Sequence, residues 1–115
     1  MTNPFSDNLI ARTRFATGDG NASALLQRIA HWMPQATKVF GGELWITKTA
    51  LDWCADTGLT PKEYKTAIAR LRRLGLVVSE QHLCGSKNVT HVRLTEAGRQ
   101  VVGLPTAPGQ PGDQP

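Results

Sequence analysis

The side chains whose types and spacing could do chemistry in this chain are cations, and the chemistry is the neutralisation of a polyanion. From Thr60 to Arg99 there are eight Lys or Arg (Lys62, Lys65, Arg70, Arg72, Arg73, Lys87, Arg93, Arg99) against three acids (Glu63, Glu80, Glu96), a local net charge of +5, whereas the rest of the 115 residues nets −1. Such asymmetry is the electrostatic footprint of a face that displaces counterions from phosphates, most often those of nucleic acid. From charge alone, a solvated basic helix face is the alternative.

Other chemistries find weaker support. His82, Cys84 and His91 fall where a hairpin would bring them together, but there is neither a Cys-x-x-Cys nor a His-x-x-x-His pair, and structural zinc needs four placed ligands, so no metal or other cofactor is expected. There is no phosphate-binding Gly-rich loop, no His-Glu-x-x-His and no nucleophile elbow, which argues against an enzyme. Trp32, Trp45 and Trp53 could form a stacking platform for single strands, yet they lie on apolar stripes and read as core. Cys54 and Cys84 make no disulfide framework, and Cys54 is expected to pack against Leu51 and the first helix.

The element that must position the cations runs from Thr60 to Gly75. Thr60 suits the N-cap, Pro61 the first helical position, and Glu63, three residues after the cap, completes a capping box. Gly75 ends the helix in a left-handed conformation. At about 100° per residue, Tyr64, Ala67, Ile68, Leu71 and Leu74 fall on one side, and Lys62, Lys65, Thr66, Ala69, Arg70 and Arg73 on or near the other. Arg72 lies nearer the core flank, where Glu80 or Asp56 would pair with it.

Around this helix the chain reads as one small α+β domain, mainly helical, with the 40% hydrophobic content of a globular core. Residues 1–20 form an N-terminal arm, loosely packed or briefly helical. Asn21 or Ser23 caps a first helix in which Ala22, Leu25, Leu26, Ile29, Trp32 and Met33 make an apolar stripe, ended by Pro34. Gln35 to Gly42 reads as a loop and Glu43 to Ile46 as a short strand. Thr47 or Thr49 caps a second helix, which ends at Gly58, so only a short Gly-containing turn separates it from Thr60; this is helix-turn-helix spacing. After Gly75, Leu76–Leu83 and Asn88–Leu94 flank a turn at Cys84–Asn88 and read as a hairpin, although polar/apolar alternation in the second strand is too imperfect to assign faces. Thr95–Val102 adds a short closing helix or a partner contact. The final 13 residues, 103–115, hold four Pro and three Gly and read as a disordered tail. No apolar run reaches the about 18 residues of a membrane span and the N-terminus carries no secretory signal pattern, so a cytoplasmic location is expected.

From about Ala22 to Val102 this order of elements resembles the winged helix-turn-helix family: three core helices, a short first strand and a C-terminal hairpin wing. The run Gly58-Leu59-Thr60-Pro61-Lys62-Glu63-Tyr64-Lys65 and on to Val77 is similar to the recognition region of small winged-helix proteins of bacterial plasmids and phages. Leu94-Thr95-Glu96-Ala97-Gly98-Arg99 resembles the exit from the wing in MarR-type regulators, from which the chain departs by lacking the long dimerisation helix. The resemblance implies that Lys62, Lys65, Thr66, Ala69, Arg70 and Arg73 meet a DNA groove, that Ser86, Lys87 and Asn88 at the wing tip touch phosphate or minor groove, and that Thr47, Lys48 and Thr49 open the second helix toward a phosphate. The expected partner is double-stranded DNA, bound by a possible homodimer, and the expected role is transcriptional regulation in a mobile element. The alternative is a module that recruits a replication or transcription protein, or a replication accessory factor.

Overall fold

A computed structural model describes residues 8–105. The elements in chain order are α1 (Leu9–Thr17), α2 (Gly20–Trp32), a 3₁₀ turn (Met33–Gln35), β1 (Lys38–Phe40), β2 (Glu43–Lys48), α3 (Ala50–Thr57), α4 (Pro61–Arg73), β3 (Val77–Cys84), β4 (Lys87–Leu94) and α5 (Glu96–Val102). The architecture is α+β and mainly helical, with five α-helices and one antiparallel sheet in the order β1-β2-β4-β3. Most of the 103–115 tail lies outside the described residues.

The apolar stripe of α2 forms the centre. Leu25, Leu26 and Ile29 are fully buried and pack with Trp53 of α3, Ile68 and Leu71 of α4, Val92 of β4 and Val102 of α5. Each such side chain contributes on the order of 2 kcal/mol by leaving water. The start of α2 is set not by Asn21 or Ser23 but by Asp19, whose carboxylate accepts from the Ala22 amide at 2.9 Å, while Ser23 is buried.

Part of the arm is structured. α1 lies against α2 and α5 through polar side chains as well as Leu9, which packs on the core: Thr13 and Ser23 share a hydrogen bond at 2.7 Å, and the Gln27 amide donates to both hydroxyls. Arg12 donates from Nε and Nη2 to the carbonyls of Val101 and Val102 at the C-terminus of α5, where a cation is favoured. Thr13 and Thr17 occupy buried positions where an amphipathic helix would carry Leu, which explains why this segment looked mixed in sequence.

The expected loop before β2 contains a strand. Lys38, Val39 and Phe40 pair with Trp45, Leu44 and Glu43 across Gly41-Gly42, both at positive φ (61° and 82°), as a two-residue hairpin turn needs. This hairpin curls over the outer face of the sheet. Phe40 reaches the rings of His82 (4.2 Å between centroids), His91 and Trp45. β4 is consequently covered on both faces: Thr90, His91, Val92 and Leu94 are all buried, and a strand buried on both sides has no reason to alternate.

Candidate nucleic-acid interface

α4 is built as its sequence reads. Thr60 Oγ1 accepts from the Glu63 amide at 3.1 Å, and the Thr60 amide donates to Glu63 Oε1 at 2.9 Å. At the other end Gly75, at φ 75°, lets its amide donate to the Arg72 carbonyl and the Leu76 amide donate to the Leu71 carbonyl, a Schellman closure. Tyr64, Ala67, Ile68 and Leu71 are buried, but Leu74 is 43% exposed, because the helix ends before its last turn completes the apolar face. Ahead of α4, the α3 helix ends at Gly58 in the left-handed region, and Leu59 fills the turn from below.

Lys62, Lys65, Thr66, Ala69, Arg72 and Arg73 stand exposed on α4. Among the described residues no carboxylate forms an ion pair with any of these cations: Asp56 is engaged by Arg28 and Glu80 by His82. Arg72, expected to pair with one of those two acids, instead joins Ala69 and Arg73 on the wall of a cleft of about 520 Å³ whose other side is Val78, Ser79 and Glu80 of β3. Sequence reasoning therefore missed Arg72 as a surface cation, since helical angle alone left it between the faces.

Arg70 is committed elsewhere. Its Nε donates to the Thr17 carbonyl at 2.6 Å, clasping the C-terminus of α1, and its side chain is half-buried. Two further cations counted in the footprint are also withdrawn. Arg93 lays its guanidinium over Trp45 at 5.2 Å, and Arg99 is buried and donates to the Pro105 carbonyl. The contact with Thr17 ties the C-terminus of α1 to α4, and Arg14, one turn before Thr17, is a further exposed cation outside α4.

The hairpin beside α4 is in full register from Val77↔Leu94 to Cys84↔Lys87, so the turn is Gly85-Ser86 rather than the five residues 84–88. Gly85, at φ 68°, occupies the first loop position. Ser86 and Asn88 are exposed at the tip, and Lys87 opens β4 opposite Cys84.

Thr47 and Lys48 do not begin α3. They close β2, paired with His91 and Thr90, and Thr49 is the cap, accepting from the Asp52 amide at 3.1 Å while Asp52 accepts from the Thr49 amide. Lys48 turns back onto aromatic rings, its ammonium 4.2 Å from the centroid of Trp32 and 5.4 Å from that of Trp53. Cys54 is half-buried against the core, but Leu51, its expected neighbour, is 71% exposed. Trp45 and Trp53 are buried, as expected for core residues.

The α2–α3 junction is tied by charge. Arg28 makes a two-pronged contact with Asp56 (3.0 and 3.1 Å), and the Trp32 indole donates to the same carboxylate at 2.7 Å. Burial pushes the Asp56 carboxyl up, but the donors from Arg28 and Trp32 and the nearby charges of Arg28 and Lys48 outweigh it and bring it below the ordinary aspartate value. His82 and His91 come together with rings 4.8 Å apart, yet His82 is bonded to Glu80 and His91 to the Val89 carbonyl, and no group of three metal-ligating side chains occurs among the described residues.

No family model, curated protein or solved structure matches the chain. What the arrangement can do chemically is present exposed cations of α4 beside the first residues of β3, a surface suited to phosphates. None of the described helices is long and apolar enough to cross a membrane.

Proposed function

We propose that this protein is a winged helix-turn-helix protein that binds double-stranded DNA by laying α4 in the major groove, and that it acts by occupying a site rather than by transforming it. The observation that carries the reading is the row of exposed, unpaired cations Lys62, Lys65, Arg72 and Arg73 on a helix capped at both ends and flanked by the β3–β4 wing. Lys62, Lys65 and Thr66 in the first turns meet base edges, and Arg72 and Arg73 meet phosphate, joined by Ser86 to Asn88 at the wing tip. Resemblance of the Gly58–Val77 segment to small plasmid and phage proteins makes transcriptional regulation of a mobile element, by a homodimer on a partly symmetric site, the role that fits.

Selection of random duplex DNA on the purified protein, followed by salt titration on the enriched site, tests this. If the four α4 cations each neutralise one phosphate, log affinity falls against log salt with a slope of about −3.6, or about 150-fold weaker binding between 50 and 200 mM salt. Recovery without a motif and a slope near zero would sink the reading.

A second reading has one observation in its favour. Val39, Phe40 and Leu51 are exposed apolar side chains on elements other than α4, which suits a module that recruits a replication or transcription protein; binding to such a partner with weak, sequence-indifferent DNA affinity would distinguish it.

A further inference from the structure

β3 lies at an edge of the sheet: the strand order β1-β2-β4-β3 leaves it paired on one side only. The Thr95 amide donates to the Leu76 carbonyl at 3.0 Å, and the register from Val77↔Leu94 to Cys84↔Lys87 then puts the bonded pairs at Val78, Glu80 and His82. The N–H and C=O groups of Val77, Ser79 and Gln81 therefore point away from β4, and among the described residues no backbone hydrogen bond engages them. Beside Val77 to Glu80 lies the cleft of about 520 Å³, with Ala69, Arg72 and Arg73 of α4 as its other wall. All three α4 residues are exposed, and among the described residues no carboxylate forms an ion pair with either arginine. Ser79 stands opposite the core residue Val92 and so faces the α4 side of the sheet, whereas Glu80 stands on the other face, bonded to His82 at 2.9 Å.

We infer that this edge takes an extended acidic segment of a partner protein, which adds a strand beside β3 and sets its carboxylates against Arg72 and Arg73. A row of alternate N–H and C=O groups is matched by another strand and by no helix or compact ligand. The arginines then select the sign: a strand turns every second side chain toward α4, and carboxylates at those positions meet guanidiniums. A second copy of the chain fits worse. Pairing through the same edge would gather the arginines of both copies into one cleft, and like charge is what guards an edge against self-association. The inference goes beyond the DNA-binding reading and stands without it, because the backbone edge of β3 has no part in that reading. DNA and the strand would share Arg72 and Arg73, so the test is run without DNA.

The probe is an end-blocked peptide of about seven residues that alternates Glu with Thr and Val, titrated into the full ¹⁵N-labelled chain, with a Lys-for-Glu peptide as control. Saturable amide shifts and slowed hydrogen exchange are expected at Val77, Ser79 and Gln81, with smaller changes at Val78 and Glu80, which are already bonded to β4. Ser79→Pro removes one outward N–H at an edge position, where proline is tolerated, and should weaken binding by about tenfold. Arg72→Glu combined with Arg73→Glu changes only exposed side chains and keeps the parent fold; it should weaken the acidic peptide by at least about tenfold and let the Lys peptide bind. Absence of saturable shifts with the acidic peptide, equal binding of the two peptides by the parent chain, or parent-like affinity in either variant overturns the inference. So does protection of the same three amides that rises with protein concentration in the absence of peptide, which would give the edge to a second copy.

Discussion

Replacing Arg70 separates the two jobs a cation on α4 can have. Its Nε–H donates to the Thr17 carbonyl at 2.6 Å, across 53 residues of sequence, and this bond holds the C-terminus of α1 on α4. A hydrogen bond with one charged partner contributes about 1.5–3 kcal/mol, and because Arg70 is only half-buried the lower end applies, about 1.5 kcal/mol. For a chain near 100 residues that lowers the melting temperature by about 6 °C. Arg73→Ala, at an exposed position without a bonded partner, should stay within about 0.5 kcal/mol of the parent. In DNA binding the order reverses: R73A should reduce the salt slope by about 0.9, while R70A should leave it nearly unchanged when measured well below its melting point. Arg70→Lys sharpens the contrast, since it keeps the charge but not the directed guanidinium donor, and should melt close to R70A. Thermal unfolding by circular dichroism and salt-dependent anisotropy on a selected duplex give both axes. If R70A melts with the parent and loses salt slope, Arg70 is a phosphate contact and the clasp on α1 is wrong.

Three further outcomes follow from the packing. Gly98→Ala puts a methyl group against the Leu76 carbonyl, so it should destabilise the fold by about 2 kcal/mol in denaturant unfolding, although helix propensity by itself favours alanine by about 1 kcal/mol; a stabilised variant would refute the close approach. Thr60→Ala removes the acceptor of the Glu63 amide and should cost about 1 kcal/mol, with a matching rise in amide exchange confined to the first turn of α4. The lowered Asp56 pKa gives the fold an acid limit: the carboxylate's contribution is complete above the unfolded aspartate value of about 3.9 and is lost as pH falls through the lower folded value, so a stability profile from pH 6 to pH 2 should drop there and be flatter in Asp56→Asn. An equally steep profile in the variant would remove Asp56 as the cause.

The sequence by itself determined what is local. The capping box at Thr60 and Glu63, the stop at Gly75, the apolar stripe of α2 and the hairpin after Leu76 depend on residues within a turn or two of one another, and the structure contains them all. The β1–β2 hairpin was equally local, signalled by Gly41-Gly42 between two short β-prone runs, but three residues of strand are too few to stand out without the partner they pair with. That the arm holds a packed helix, one of the two alternatives its sequence offered, was left open for a different reason: its fully buried side chains are Thr13 and Thr17, whose cost of burial is met by hydroxyl bonds to Ser23 and to backbone, so no hydrophobic period marks it. Which cations stay on the surface was a decision of tertiary structure alone. Lys65 and Arg70, or Arg73 and Arg93, are the same kinds of residue in similar company along the chain. A guanidinium turns inward only where the fold brings it a carbonyl, as Thr17 meets Arg70, or an aromatic face, as Trp45 meets Arg93, and those partners arrive from elements distant in sequence.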